Sequence, residues 1–289
     1  MLEFFSYDFM LRSLLASILI GATCSIVGVF VVLQGLSFIG AGIAHAAFAG
    51  VALAFLIGSN PFILAIIFSL IMVWLSGVLS EKGSLNLDAT IGILFSLTMA
   101  LAVLFIGLMK QYNADLYGYL FGSILSISKG DLKVISLISF SVLLLVRLFF
   151  KEFHLLAFDR EMAEASGLPA RKLFFLLLTL MAVTIVMSLK ATGELLVIAL
   201  IVIPASSAYQ LTHSMGKMML ISAAFGVSAS ILGLIASFYL DIPSGSSIVI
   251  LLSLAFALSV VFSPKKKCSA RIYQRFNEEA SKKEVNPNE

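Results

Sequence analysis

Charge is scarce in this 289-residue chain: Asp, Glu, Lys and Arg make up 12% of it, against 60% hydrophobic residues. With a mean hydropathy of +1.08, an ordinary soluble domain is excluded. The net charge of +3 is too small to suggest nucleic acid as a partner. Cysteine is nearly absent. Cys24 lies in an apolar run and Cys268 in the C-terminal tail, too far apart in depth to bridge, so neither a disulfide nor a Cys-based metal site is implied. The chain lacks a Gly-x-x-x-x-Gly-Lys-Ser/Thr phosphate loop, which excludes ATP hydrolysis by the usual route, and it lacks a His-Glu-x-x-His motif. The opening residues MLEFFSYDF have no basic segment before an apolar core, so a cleaved signal peptide is not expected.

What the chain has is long apolar runs. A run of roughly 17 to 25 residues can cross a hydrocarbon core. Such runs lie at about 11–33, 36–57, 61–80, 91–109, 131–150, 172–189, 194–210, 218–240 and 246–263. They predict an all-α polytopic membrane protein of eight to ten transmembrane helices, with nine the count of runs. The segment 110–130 has a short apolar middle and reads as a re-entrant or interfacial helix. Composition divides the chain into a membrane domain over 1–263 and a charged cytoplasmic tail over 264–289, expected to be mobile. Placing Arg160, Arg171, Lys172, Lys217 and Lys265 to Lys267 in the cytoplasm satisfies the positive-inside rule. Counting spans backwards then puts the N-terminus outside, with Arg12 as a mild exception.

Residues 151–172, KEFHLLAFDREMAEASGLPARK, form a hydrophilic island that must stand in water between two spans. Within it, Asp159 suits an N-cap, Glu161 and Glu164 suit the positive start of a helix, Gly167 suits the position after the C-cap, and Pro169 blocks continuation. The predicted helix is Arg160 to Ser166, about 10 Å long at ~1.5 Å per residue. A helix so short is marginal alone and needs a docking surface. Phe158, Met162 and Ala163 are the residues expected to meet a soluble partner on the cytoplasmic side.

Inside the spans, ionisable residues are few. His45 sits among the small residues of GAGIAHAAFAGVALA, which permit close helix packing. An imidazole at that depth either faces a pathway as a metal ligand or hydrogen-bonds a serine on a neighbouring helix. Glu194 is expected near the outer boundary. It either complements the macrodipole of its helix, with Lys190 nearby, or serves as a carboxylate at the mouth of a cation pathway. Pro204 removes a backbone hydrogen bond, frees the Leu200 carbonyl and predicts a kink, which is architectural or lines a cavity. Asp88, Asp115, Lys129, Asp131 and Asp241 read as solvated loop residues, and His154 and His213 as cytoplasmic loop residues.

The island FDREMAEASGLP resembles the coupling helix of ATP-binding-cassette importer permeases. It has Glu161, Ala163 and Gly167 at the spacing of their Glu-Ala-Ala-x-x-x-Gly signature, with Met162 in place of the central alanine. The blocks LSFIGAGIAHAAFAGVALAF, YLFGSILSISKGDL and ATGELLVIALIVIPASSA resemble the zinc, manganese and iron permeases of that superfamily, over about residues 8 to 263. The resemblance implies a dimer made with a second copy or a paralogue and cytoplasmic ATPase subunits docked on the coupling helices. It also implies an extracytoplasmic metal-binding protein, a divalent metal as transported substrate rather than resident cofactor, and no catalysis by the chain itself. It places coupling contacts at Phe158, Asp159, Glu161, Met162, Ala163 and Gly167. Many members carry an aspartate four residues before the histidine; here that position is Ala41. Glu194 is then the candidate to supply the missing oxygen ligand. A chelate importer, an ion-gradient-driven secondary transporter and an intramembrane serine enzyme are the competing classes.

Overall fold

A computed structural model describes residues 8–36, 38–83, 85–109, 122 and 127–264. Among them eleven helices follow one another: α1 (Asp8–Leu33), α2 (Ile39–Ile57), α3 (Pro61–Gly83), α4 (Leu87–Leu108), α5 (Lys129–Leu148), α6 (Phe150–Phe158), α7 (Arg160–Ala165), α8 (Ala170–Thr192), α9 (Glu194–Leu211), α10 (Met215–Leu240) and α11 (Ser244–Val261). Eight are long and apolar enough to cross a membrane. The predicted span at 131–150 is the exception. Its helix α5 carries Lys129, Asp131, Lys133 and Arg147, and it joins α6 at a 72° bend, the pair counting as a ninth span only if taken together. Most of the 110–130 segment, Asp115, and the tail from 265 onward lie outside the described residues.

The bend falls at Phe149, whose φ of −97° and ψ of 25° leave the helical region. What turns α6 aside is packing. Phe153 is fully buried and meets Phe30 of α1 edge to face, with ring centroids 5.6 Å apart. The first half of the hydrophilic island is thus a helix lying against the bundle, and His154 belongs to it, its ring 5.0 Å from that of Phe158. It is not a loop residue.

Helix α7 is built as its sequence indicates, one residue shorter than expected. The Asp159 carboxylate accepts from the Met162 amide at 2.9 Å, capping the start. At the other end Gly167 takes φ +80°, a conformation costly for other residues, while its N–H donates to the Glu164 carbonyl and the Leu168 N–H to the Ala163 carbonyl. This is a Schellman motif. Phe158 and Met162 are each 60% exposed, whereas Ala163 is fully buried. Ala163 therefore seats α7 on its own chain, which corrects the expectation that it faces a partner.

The centre of the bundle relies on close backbone approach. A Cβ added at Gly28 would lie 1.9 Å from the Ile201 carbonyl oxygen, and one at Gly50 would lie 2.4 Å from that of Leu64. Only glycine lets α1 meet α9, and α2 meet α3, at that separation. Pro204 lies buried in the continuous helix α9, and the Leu200 carbonyl that it deprives of a partner accepts the Ser25 hydroxyl of α1 at 3.4 Å. That contact supports the architectural reading of Pro204.

Candidate functional site

Helix α2 is buried along most of its length, and small residues flank its one imidazole, which is itself largely buried. On α2, His45 follows Ala41 by one helical turn, and its Nδ1 lies 3.0 Å from the Ala41 carbonyl oxygen. The second neighbour of Nδ1 comes from α9: Oε1 of Glu194, at 2.6 Å. Both neighbours are acceptors when the carboxylate is ionised. In the neutral imidazole the proton then belongs on Nδ1, and Nε2 keeps its lone pair. A histidine held this way, with carboxylate on one nitrogen and the other free, has the arrangement that orients metal-binding imidazoles.

A single residue puts Glu194 there. Gly193 separates α8 from α9, and its φ of +78° and ψ of 166° turn the chain sharply while its N–H closes the last turn of α8 on the Leu189 carbonyl at 2.8 Å. Glu194 opens α9, where a carboxylate complements the positive helix end. Its residue is 8% exposed. Depth can be read from Ser69, whose hydroxyl donates to the Ile43 carbonyl two residues before His45. Ser69 stands eight residues into α3, about 12 Å from its start at ~1.5 Å per residue. Glu194 thus meets His45 within the helical bundle, from the first turn of α9.

Lys190 does not serve Glu194. Its ammonium bonds the Asp131 carboxylate of α5 at 2.6 Å, while Asp131 also completes a capping box with Ser128. Asp131 is therefore a structural residue, not a freely solvated one. Asp88 likewise differs from expectation, with one carboxylate oxygen buried and without a hydrogen-bond partner among the described residues.

Two contributors escape a reading of the sequence. Phe95 of α4 lies beside the imidazole, ring centroids 4.6 Å apart, and one more phenylalanine among the 24 in the chain carries no signal. Glu81, near the end of α3, pairs with both Arg160 of α7 and Arg171 of α8. Among the described residues no group of three or more His, Cys, Asp and Glu side chains converges. His45 and Glu194 come together as a pair, while Phe158, Asp159, Glu161, Met162, Ala163 and Gly167 gather some distance away on and beside α7.

Residues 6–263 match the family described as the ABC 3 transport family. The chain is 36% identical over 272 residues to the manganese transport system membrane protein MntC of Halalkalibacterium halodurans, covering 94% of this chain and 93% of the relative. It is 35% identical over 271 residues to the chelated iron transport system membrane protein YfeD of Yersinia pestis, covering 93% and 90%. Among solved structures, PsaBC from Streptococcus pneumoniae in complex with Fab aligns with a TM-score of 0.80 and 33% identity, over 90% of this chain and 94% of that one. A helical bundle of this topology with a capped short helix between its spans, matched by one family over nearly its whole length, identifies the chain as a multi-pass cell-membrane protein that belongs to the ABC 3 transport family.

Proposed function

We propose that the chain is the permease subunit of an ATP-driven importer for a divalent transition metal, manganese or iron, with His45 and Glu194 in the path of the ion. The single observation that carries this reading is the 2.6 Å contact between His45 and Glu194 across α2 and α9, in a chain whose relatives are named for manganese and iron transport. A bare divalent cation cannot cross hydrocarbon, so helices must offer it a few ligands that bind weakly enough to release it. Nε2 of His45 and the second oxygen of Glu194 are such ligands. Imidazole and carboxylate accept manganese, iron and zinc alike; the named relatives favour the first two. Energy comes from outside the chain. Separate cytoplasmic ATPase subunits would dock on α7 through Phe158 and Met162, an extracytoplasmic binding protein would deliver the ion, and a second permease copy or paralogue would complete the channel. Glu161 and Gly167 shape that docking helix, and its movement would alternate access to the pair.

The test is uptake of radiolabelled manganese, iron and zinc into proteoliposomes holding the permease with its ATPase partner. ATP-dependent manganese or iron uptake that is lost in His45→Ala and Glu194→Gln is expected. Unchanged uptake in both variants would remove the pair from the path, and uptake without the ATPase would point to an ion-gradient transporter. A chelate importer is favoured by the sparseness of the donor set, and it predicts uptake that requires the chelator.

A further inference from the structure

We propose that Glu81 is the positioning residue that joins α7 to the two helices reaching the His45–Glu194 pair, and so sets how movement of α7 is passed on; this rests on the function proposed above. The carboxylate of Glu81 is 21% exposed and divides its two oxygens between two helices: Oε1 takes the Arg160 guanidinium of α7, and Oε2 takes Nε of Arg171, in the first turns of α8, at 3.0 Å. Each guanidinium also rests on an aromatic ring of α8. Arg160 lies 5.1 Å from the Phe174 centroid and Arg171 lies 6.0 Å from that of Phe175. One turn back along α3, Gly77 leaves room for the Phe175 ring, where a Cβ would come within 3.1 Å of it. The orientation of three helices therefore converges on one carboxylate.

From this joint, two rigid elements lead to the pair. Helix α3 runs twelve residues from Glu81 back to Ser69, about 18 Å, and there its hydroxyl is bonded to the Ile43 carbonyl beside His45. Helix α8 runs from Arg171 to Thr192 and, through Gly193, to Glu194. A displacement of α7 thus reaches both members of the pair by separate helices that begin at the same side chain. Loss of the carboxylate would leave α7 able to dock its partner while α3 and α8 no longer follow it together.

The experiment measures metal transported per ATP hydrolysed by the full complex in proteoliposomes, for the wild type, Glu81→Gln and Arg171→Gln. The expected result is a roughly threefold to thirtyfold fall in that ratio, with ATP turnover, the KM for metal and the melting temperature held near wild-type values. A role in stability alone would lower the melting temperature and both rates together, and that outcome overturns the proposal, as does an unchanged ratio in both variants. Should Glu81→Gln fail to assemble, Glu81→Asp keeps the charge but withdraws it from the arginines, with the same two outcomes. A wild-type complex that carries no metal defeats the function proposed above and this proposal with it; a coupled wild type beside equally coupled variants defeats the joint alone.

Discussion

Within the helical bundle one imidazole faces one carboxylate across α2 and α9, whereas at the end of α3 one carboxylate is shared by two guanidiniums that lean on Phe174 and Phe175. The deep pair has no third His, Cys, Asp or Glu side chain converging on it among the described residues. The pair beside α7 is a network: Arg160 reaches Glu164 as well as Glu81. Burial explains the difference. A lone charge in the bilayer interior is costly, so it persists where its chemistry is used. Near water the cost is small, and several weak contacts can fix an orientation around one shared carboxylate, the outlying ones being dispensable. The deep site is thus sensitive to single changes in chemistry, and the coupling end to changes in geometry.

The harshest way to break this comparison is to remove a member of the deep pair. His45→Ala should lower metal uptake by about 100-fold or more, and Glu194→Gln, which keeps its volume and loses the charge that holds Nδ1, by roughly 10- to 100-fold. Melting in detergent should shift by only a few degrees in the Gln variant, since the amide can still accept from Nδ1. Uptake at wild-type levels in Glu194→Gln would show that the carboxylate does not act on the ion.

Packing offers a second contrast. Gly28→Ala places a methyl 1.9 Å from the Ile201 carbonyl oxygen, and overpacking of this kind costs about 1–3 kcal/mol. Gly92→Ala on exposed α4 meets nothing within 4 Å and should stabilise by about 0.5–1 kcal/mol through helix propensity. Opposite shifts in melting temperature are expected; equal shifts would mean that α1 and α9 yield more freely than their contact suggests.

A gentler probe acts on α7 itself. Asp159→Ala removes the side chain that caps the Met162 amide, worth about 1 kcal/mol. Hydrogen exchange at the amides of α7 should quicken by roughly fivefold, while exchange in α8 stays slow. Unchanged exchange would indicate that burial of Ala163, and not the cap, holds the helix.

How far the sequence carried these conclusions depended on whether the cause was local. The cap at Asp159, the turn at Gly167 and the carbonyl freed by Pro204 follow from the chemistry of a few adjacent residues, and each is present. The bend at Phe149 is not local. Nothing between Val146 and Glu152 breaks a helix, and the turn comes from Phe153 finding Phe30, more than a hundred residues away in the chain. The same holds for the site. His45 and Glu194 could each be singled out as costly residues in apolar surroundings, and Glu194 could be suggested as an oxygen ligand, but their contact joins helices far apart in sequence. Lys190 was adjacent to the wrong carboxylate in sequence and beside the right one, Asp131, in space. Glu81 drew no notice because a carboxylate at a span end is ordinary; only the two arginines folded against it give it a role.

The smallest effect sharpens the comparison most. Glu164 contacts the Arg160 Nε at 3.5 Å, with its side chain 56% exposed. An exposed pair four residues apart on a helix is worth about 0.3–0.5 kcal/mol, and Arg160 keeps Glu81 when Glu164 is lost. Glu164→Gln should therefore leave uptake per ATP unchanged and move the melting temperature by about a degree or less. If the coupling end is a network that rests on Glu81, with Glu164 peripheral to it, this silence is required of it. A loss of coupling in Glu164→Gln comparable to that in Glu81→Gln would mean that the orientation of Arg160 is set within α7, and that the contact with α3 merely follows.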